Sequence, residues 1–328
     1  MIGLVGCAPV AAAPEPSPTS TPEPSPTVEP AVGQSVLPLA CADLLTAADL
    51  AQLVPSVRTV VDGEHLAQTL TAAAEAQGGV LTCGWALDQY QRTDWQNEVS
   101  LTVSPSTEIA ISADTGAGFT WTPVEGEHPT GISGGCDLGD IAYCHAVQLR
   151  QGYLVELTVG ARVSESAPSL APPTLEILER VGSKIDGAGD PRAVVQSVGA
   201  ADPASVCADA DVRSIVEARG ATGEPEVTTR DTRASDVPVT ICTWPLLDDS
   251  EGIQVQVVPG GAWAYDRIAA GVSIGLLSFD PVPDADYLTG SGTGRAAIRA
   301  FGDDLIEITV PGRADDPAAW DALLAATW

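Results

Sequence analysis

Thiols are the groups in this chain best placed to do chemistry. Seven cysteines occur in 328 residues: Cys7, Cys41, Cys83, Cys136, Cys144, Cys207 and Cys242. A thiol can carry a lipid, close a disulfide, hold a metal or act as a nucleophile, and spacing separates these uses. No two of the seven stand in a Cys-x-x-Cys pair, the usual spacing of zinc sites and redox-active dithiols. Six of them therefore read as structural disulfides. Cys7 is different, because Leu4-Val5-Gly6-Cys7 is the pattern that bacteria cut and lipidate. It reads as a lipidation site, and the bland alternative is a chance Gly-Cys near a ragged end.

Other chemistry is weaker. Gly131-Ile132-Ser133-Gly134-Gly135 matches Gly-x-Ser-x-Gly, with His128, His145, Asp137 and Asp140 near it in sequence. A nucleophile elbow needs a buried strand before the serine and a helix after it, whereas Glu125–Thr130 and Cys136–Asp140 read as polar loop. A comparable Gly290-Ser291-Gly292-Thr293-Gly294 occurs in the second half, which has no histidine. Both stretches are expected to serve the backbone, and no catalytic residue is assigned. His65 and His145 read as surface or packed residues. Asp248-Asp249-Ser250-Glu251 and Asp280, Asp284 and Asp286 do not fit a twelve-residue calcium loop, so no metal is assigned. No phosphate loop or dinucleotide fingerprint occurs, and no cofactor is expected. Trp95, Trp121 and Trp263 lie in irregular segments and are the candidates for a ligand-facing aromatic wall, against the alternative of core packing.

Net charge is −29, and Lys184 is the sole lysine. Such a surface repels phosphate backbones, which excludes nucleic acid as a partner. It is also repelled by anionic headgroups, so attachment to a membrane must come from an anchor. Met1–Gly6 is too short for a signal peptide and reads as the truncated end of one, with Cys7 closing the segment 1–7 and the true start upstream. Residues 8–36 contain Pro14-Glu15-Pro16-Ser17-Pro18 and Pro22-Glu23-Pro24-Ser25-Pro26, a composition that cannot offset ordering entropy by burial. They are expected to form a disordered stalk, which at ~3.1 Å per residue reaches up to ~90 Å from an anchor.

Beyond the stalk the chain reads the same way twice. Cys41-Ala42-Asp43 and Cys207-Ala208-Asp209 each lead into a short amphipathic helix. Leu50, Leu53 and Val54 form the apolar side of the first, with Thr46 and Asp49 at capping-box spacing; Val212, Ile215 and Val216 do so in the second. Cys83-Gly84-Trp85 is matched by Cys242-Thr243-Trp244, where each Trp should share the face of its cysteine and pack in the core. Period-two strands follow at Val99–Val103 and Ile253–Val257. Leu154-Val155-Glu156-Leu157-Thr158-Val159 is echoed by Leu305-Ile306-Glu307-Ile308-Thr309-Val310, each the second arm of a hairpin turning at Gln151-Gly152 or Gly302-Asp303. A helix closes each half, around Leu175, Leu178 and Val181 in one and Trp320, Leu323 and Leu324 in the other.

The expectation is α+β: two tandem copies of an antiparallel sheet with helices packed on one face and the other face wet. The copies are placed at 37–186 and 205–328, joined by a linker at 187–204 in which Val194 and Val195 are candidates for a short helix. They differ by an insertion, since Glu64–Gln77 reads as a helix and Gly223–Asp236 as loop. Duplication also selects a disulfide set from the 15 that six cysteines allow. Cys41–Cys83 and Cys207–Cys242 are equivalent, and Cys136 and Cys144 pair across a short loop. Closing a loop of about 40 residues stabilises by roughly 3–4 kcal/mol in the chain-entropy account.

The lipobox, the Pro/Ser/Thr stalk, Cys-x-Asp before a helix and Cys-x-Trp on a strand together resemble a family of actinobacterial lipoproteins that share a domain of unknown function. Leu138-Gly139-Asp140-Ile141-Ala142 is similar to the Gly-Asp-x-Ala turn before that module's last hairpin, and Gly294-Arg295-Ala296-Ala297 departs from it. The module is similar in turn to extracellular sensor domains of mycobacterial receptor kinases. The resemblance implies an envelope module without known catalytic residues. The expectation for function is a lipid-anchored, extracytoplasmic, non-catalytic binding or sensor-like module for a small ligand, cell-wall glycan or envelope protein. The alternatives are an assembly lipoprotein acting through protein contacts and, remotely, a hydrolase using Ser133.

Overall fold

The computed structural model describes residues 33–54, 70–86, 98–106, 122–123, 132–138, 141–162, 170–189, 191–195, 199, 202–218, 220–230, 232, 237–246, 252–270, 278–281, 288–291 and 294–311. Cys7, the stalk up to residue 32, His65, His128, Trp95, Trp121, the acidic run at 248–251 and the expected closing helix around Trp320 lie outside these residues.

The first half begins with α1 (Cys41–Leu44) and α2 (Ala47–Leu53). The capping box expected at Thr46 and Asp49 starts α2: Asp49 Oδ2 accepts from the Thr46 backbone N–H at 2.9 Å, and Thr46 Oγ1 accepts from the Asp49 N–H at 3.2 Å. Next come α3 (Leu70–Gln77), β1 (Leu81–Ala86), β2 (Glu98–Pro105), β3 (Thr122–Pro123), β4 (Ser133–Leu138), β5 (Ile141–Arg150), β6 (Tyr153–Arg162) and α4 (Ala171–Asp186). The second half comprises α5 (Ala204–Cys207), α6 (Ala210–Ala218), β7 (Glu226–Arg230), β8 (Val239–Trp244), β9 (Ile253–Val258), α7 (Ala264–Ala270), β10 (Ser278–Pro281), β11 (Leu288–Ser291), β12 (Gly294–Phe301) and β13 (Asp304–Pro311).

Two antiparallel sheets result, in the orders β1-β2-β6-β5-β4-β3 and β10-β11-β12-β13-β9-β8-β7. Read from the same end, β8, β9, β13, β12, β11 and β10 repeat the order of the first sheet, so the two copies share topology as well as residue pattern. Both expected hairpins form. Gln151 and Gly152 each take positive φ between Arg150 and Tyr153, and Gly302 alone does so between Phe301 and Asp304, as two-residue turns require. Among the described residues β7 has no equivalent in the first sheet. The stretch 223–236 was expected as loop, but within it Val227, Thr228 and Thr229 favour extended backbone and Glu226–Arg230 pair with β8.

Alternation sorts each sheet into two faces. One face carries the paired cysteines Cys41–Cys83 or Cys207–Cys242, with Trp85 or Trp244 beside them and α1, α2 and α4 or α5 and α6 above. The third disulfide, Cys136–Cys144, joins directly opposed residues of β4 and β5. The α+β expectation holds, and helices also lie on a second face. On the second sheet, α7 and the first half's α3 build a separate core in which Leu70, Ala73 and Ala74 meet Val239, Ile241, Val258, Ile298 and Leu305. The insertion helix of one copy therefore covers the sheet of the other. Ala73 and Ala74 have no exposed area, which lets the helix approach the strands closely. Gln77 fastens its end by donating Nε2 to the Pro259 carbonyl at 2.8 Å.

The described part of the linker is tied to the first half by its backbone although residues 191–194 are exposed. Arg192 N–H donates to the Val36 carbonyl at 2.9 Å, Val36 N–H donates to Gly79, and residues 191–195, including Val194 and Val195, form no helix. Packed chain begins before residue 37. Val36 is 1 % exposed, and Gly33, at φ 72, lies so close to the Trp263 ring that a Cβ would overlap it. Residues 33–36, expected as the last part of the disordered stalk, are therefore packed chain, and the rest of that expectation lies outside the described residues.

Because α3 joins the two cores, the halves should unfold together. Ala73→Leu overpacks the shared layer and is expected to cost about 1–3 kcal/mol. Scanning calorimetry should show one transition, shifted down as a whole. Two resolved transitions, only one of them moving, would show that the halves are independent.

Candidate functional site

Buried polar groups occur at several places among the described residues, and two features stand out as candidate sites. The first follows from the repeated strand. In Leu154–Val159 and Leu305–Val310, alternation puts Glu156 and Glu307 on the face opposite the cysteines. That position was expected to be wet, and both glutamates are buried, at 3 % and 7 % exposure. In the first sheet, His145, which stands opposite Thr158, brings Nε2 to 3.7 Å from Glu156 Oε1. In the second sheet the place opposite Thr309 belongs to Ala296, so Glu307 has no imidazole there. Its Oε1 accepts instead from Thr309 Oγ1 at 3.1 Å. Burial pushes the Glu307 carboxyl up to about 7, against the lowering effects of the Thr309 hydroxyl and the Arg230 charge. The sequence carried one signal for these sites, the same acid in the middle of an apolar strand in both halves.

The second place is a groove of about 290 Å³ where α5 and the linker meet the β12–β13 hairpin, lined by Ser205, Val206, Asp209, Phe301, Asp303 and Asp304 among others. Its frame is held by local bonds. Asp304, 5 % exposed, accepts the Gly260 N–H at 2.8 Å; Asp209 accepts the Asp211 N–H at 2.8 Å; and the Ser205 hydroxyl donates to the Asp202 carbonyl at 2.7 Å. Asp303 sits exposed at the turn, and its carbonyl accepts the Ala262 N–H. Half-buried Phe301 and buried Val206 give the groove an apolar side. None of these residues was a candidate for a site from sequence, where Asp209 and Asp303 figured only in the repeat and in the hairpin turn, since the two walls lie about a hundred positions apart.

The sequence candidates fare differently. Trp263 is half-buried, with its ring against Gly33, its Nε1 donating to Gln77 Oε1 at 3.2 Å and Arg267 5.0 Å from the ring centre. These contacts pack it between α3, α7 and the amino-terminal segment, away from the residues that line the groove described above. Ser133 opens β4 opposite Val147, and the segment from Cys136 to Leu138, expected as loop, is strand. The serine thus begins an antiparallel strand and not a strand-to-helix turn. His145 lies in β5, next to Cys144, and is buried. Among the described residues no three His, Cys, Asp or Glu side chains gather as a metal site, and no helix is long and apolar enough to cross a membrane. No protein-family model, curated protein or solved structure matches the chain.

The raised Glu307 carboxyl makes stability depend on pH. The folded chain holds this proton to about 7, whereas an ordinary glutamate releases it near 4.5. Folding therefore binds protons between these values, and stability falls as pH rises through that window, by a total on the order of 3 kcal/mol. Glu307→Gln removes this slope. Melting temperatures taken from pH 4.5 to above 7 should show the variant gaining on the parent across the window and levelling off beyond it. A gap that stays constant with pH would contradict the assignment.

Proposed function

We propose that this protein is a lipid-anchored, extracytoplasmic binding module that acts without catalysis and seats its ligand in the groove beside the β12–β13 hairpin. The observation that carries the reading is the groove itself: apolar Phe301 and Val206 and acidic Asp209, Asp303 and Asp304 line it together, on a frame in which Asp304 and Asp209 each hold a backbone N–H. Pockets that bind small molecules share this make-up of apolar wall and a few placed polar groups. The local carboxylates, on a chain of net charge −29, favour a ligand that brings a cationic amine and an apolar face over an anionic one.

Three disulfides suit a chain that folds in an oxidising compartment. Within the proposal, Cys7 supplies the anchor and the Pro-rich stalk the distance from the membrane, so that the ligand is a component of the cell envelope. The resemblance to actinobacterial lipoproteins and receptor-kinase sensor domains points the same way.

A thermal-shift screen against cell-wall fragments tests this. Amine-bearing peptide fragments should raise the melting temperature saturably, phosphate-bearing ones should not, and Asp303→Lys should abolish the rise while leaving the unliganded melting temperature nearly unchanged. The absence of any saturable shift would favour an assembly role through protein contacts instead.

A further inference from the structure

Among the described residues β7 is the one strand that the second sheet has and the first lacks, and it ends that sheet's strand order. All five of its residues are exposed, and Val227, at 46 % exposure, is one of two large exposed apolar side chains among the described residues. It hydrogen-bonds to β8 on one side, and among the described residues no strand pairs with its other edge, which is left for a further strand. Exposed edges are usually blunted by proline or by charge. Pro225 stops this strand at its start, but the two charges, Glu226 and Arg230, are of opposite sign and lie symmetrically about Thr228. Set antiparallel against itself about Thr228, the strand brings Glu226 opposite the other copy's Arg230 and Val227 opposite its Thr229, and the two-fold axis repeats both pairs.

We propose that β7 is a self-complementary docking edge, and that a second copy of this chain pairs with it antiparallel to join the two seven-stranded sheets into one. Charge complementarity selects this occupant. A peptide of arbitrary sequence satisfies the backbone, whereas a second copy satisfies the backbone and both ion pairs. Five residues make a small interface, so the association belongs to the weak, concentration-dependent class.

Sedimentation velocity from micromolar to millimolar chain is the test, at about 0.15 M salt so that the Debye length of about 8 Å screens the repulsion between copies. The parent is expected to pass from monomer to dimer. E226R places arginine opposite arginine and R230E places glutamate opposite glutamate, so each alone should weaken dimerisation by about tenfold. Mixed in equal amounts, the two variants present only opposite charges to each other and should dimerise as the parent does. Circular dichroism checks that each variant keeps the parent's fold. A parent that stays monomeric throughout, an E226R that dimerises unimpaired, or a mixture no better than its components each overturns the proposal.

Discussion

The contact between α3 and the second sheet is the constraint that holds this molecule in one arrangement. A sheet apolar on both faces must be covered on both, because unburied strands of Val, Ile and Leu forfeit about 25 cal/mol for every Å² left in water. The second copy covers its cysteine face with its own α5 and α6, and part of the other face with α7. Leu70, Ala73 and Ala74 from the first copy pack on that face as well. Once that helix is lodged, its neighbours follow. Gln77 reaches Pro259 and Trp263, Gly79 receives Val36, and Val36 in turn takes the linker at Arg192 and the Tyr153 hydroxyl. Duplication supplied two similar sheets, and the helical insertion in one copy made them interdependent.

The same history shows in the buried carboxylates. A glutamate copied into both last strands kept its place in the ladder while its surroundings diverged. His145 stands by Glu156, and Ala296 holds the matching place near Glu307. An ionised carboxylate without a cation in contact is costly at such a site, and the proton offsets the cost. Arg230 acts from the sheet edge, too far to take the place of an imidazole in contact. One inherited position has thus become an acid beside a base in the first copy and a late-titrating acid in the second.

What the sequence made legible is what short-range rules encode. The capping box at Thr46, the two-residue turns, the tryptophans two places after their cysteines and the repeat that pairs the cysteines all depend on residues a few positions apart or on direct comparison of the halves. Three features escaped for a common reason, which is that they depend on who covers whom. Glu156 and Glu307 belong to the face that alternation marks as wet, and only the layer above decides whether it is. Glu64–Gln77 reads as a helix whose packing partner cannot be found from its own residues, because an alanine-rich segment has no strong apolar side. β7 was hidden by the glycine and proline before it, although its own five residues favour a strand.

The proposed groove lies where these long-range contacts converge, and that bears on how it would bind. Its hairpin wall is fixed by the tight turn at Gly302 and by Asp304 capping the Gly260 N–H. Its helical wall is fixed by Asp209 at the start of α6 and by Cys207, whose disulfide ties α5 to β8. Gly199 brings the linker against Pro259 and Gly260 so closely that a side chain would not fit, and the same proline carbonyl receives Gln77 of α3. Walls anchored to strands, a disulfide and the inter-copy helix lose little freedom when a ligand enters. A ligand in the proposed site would therefore meet a geometry already in place, and the α3 layer that joins the copies also steadies the groove.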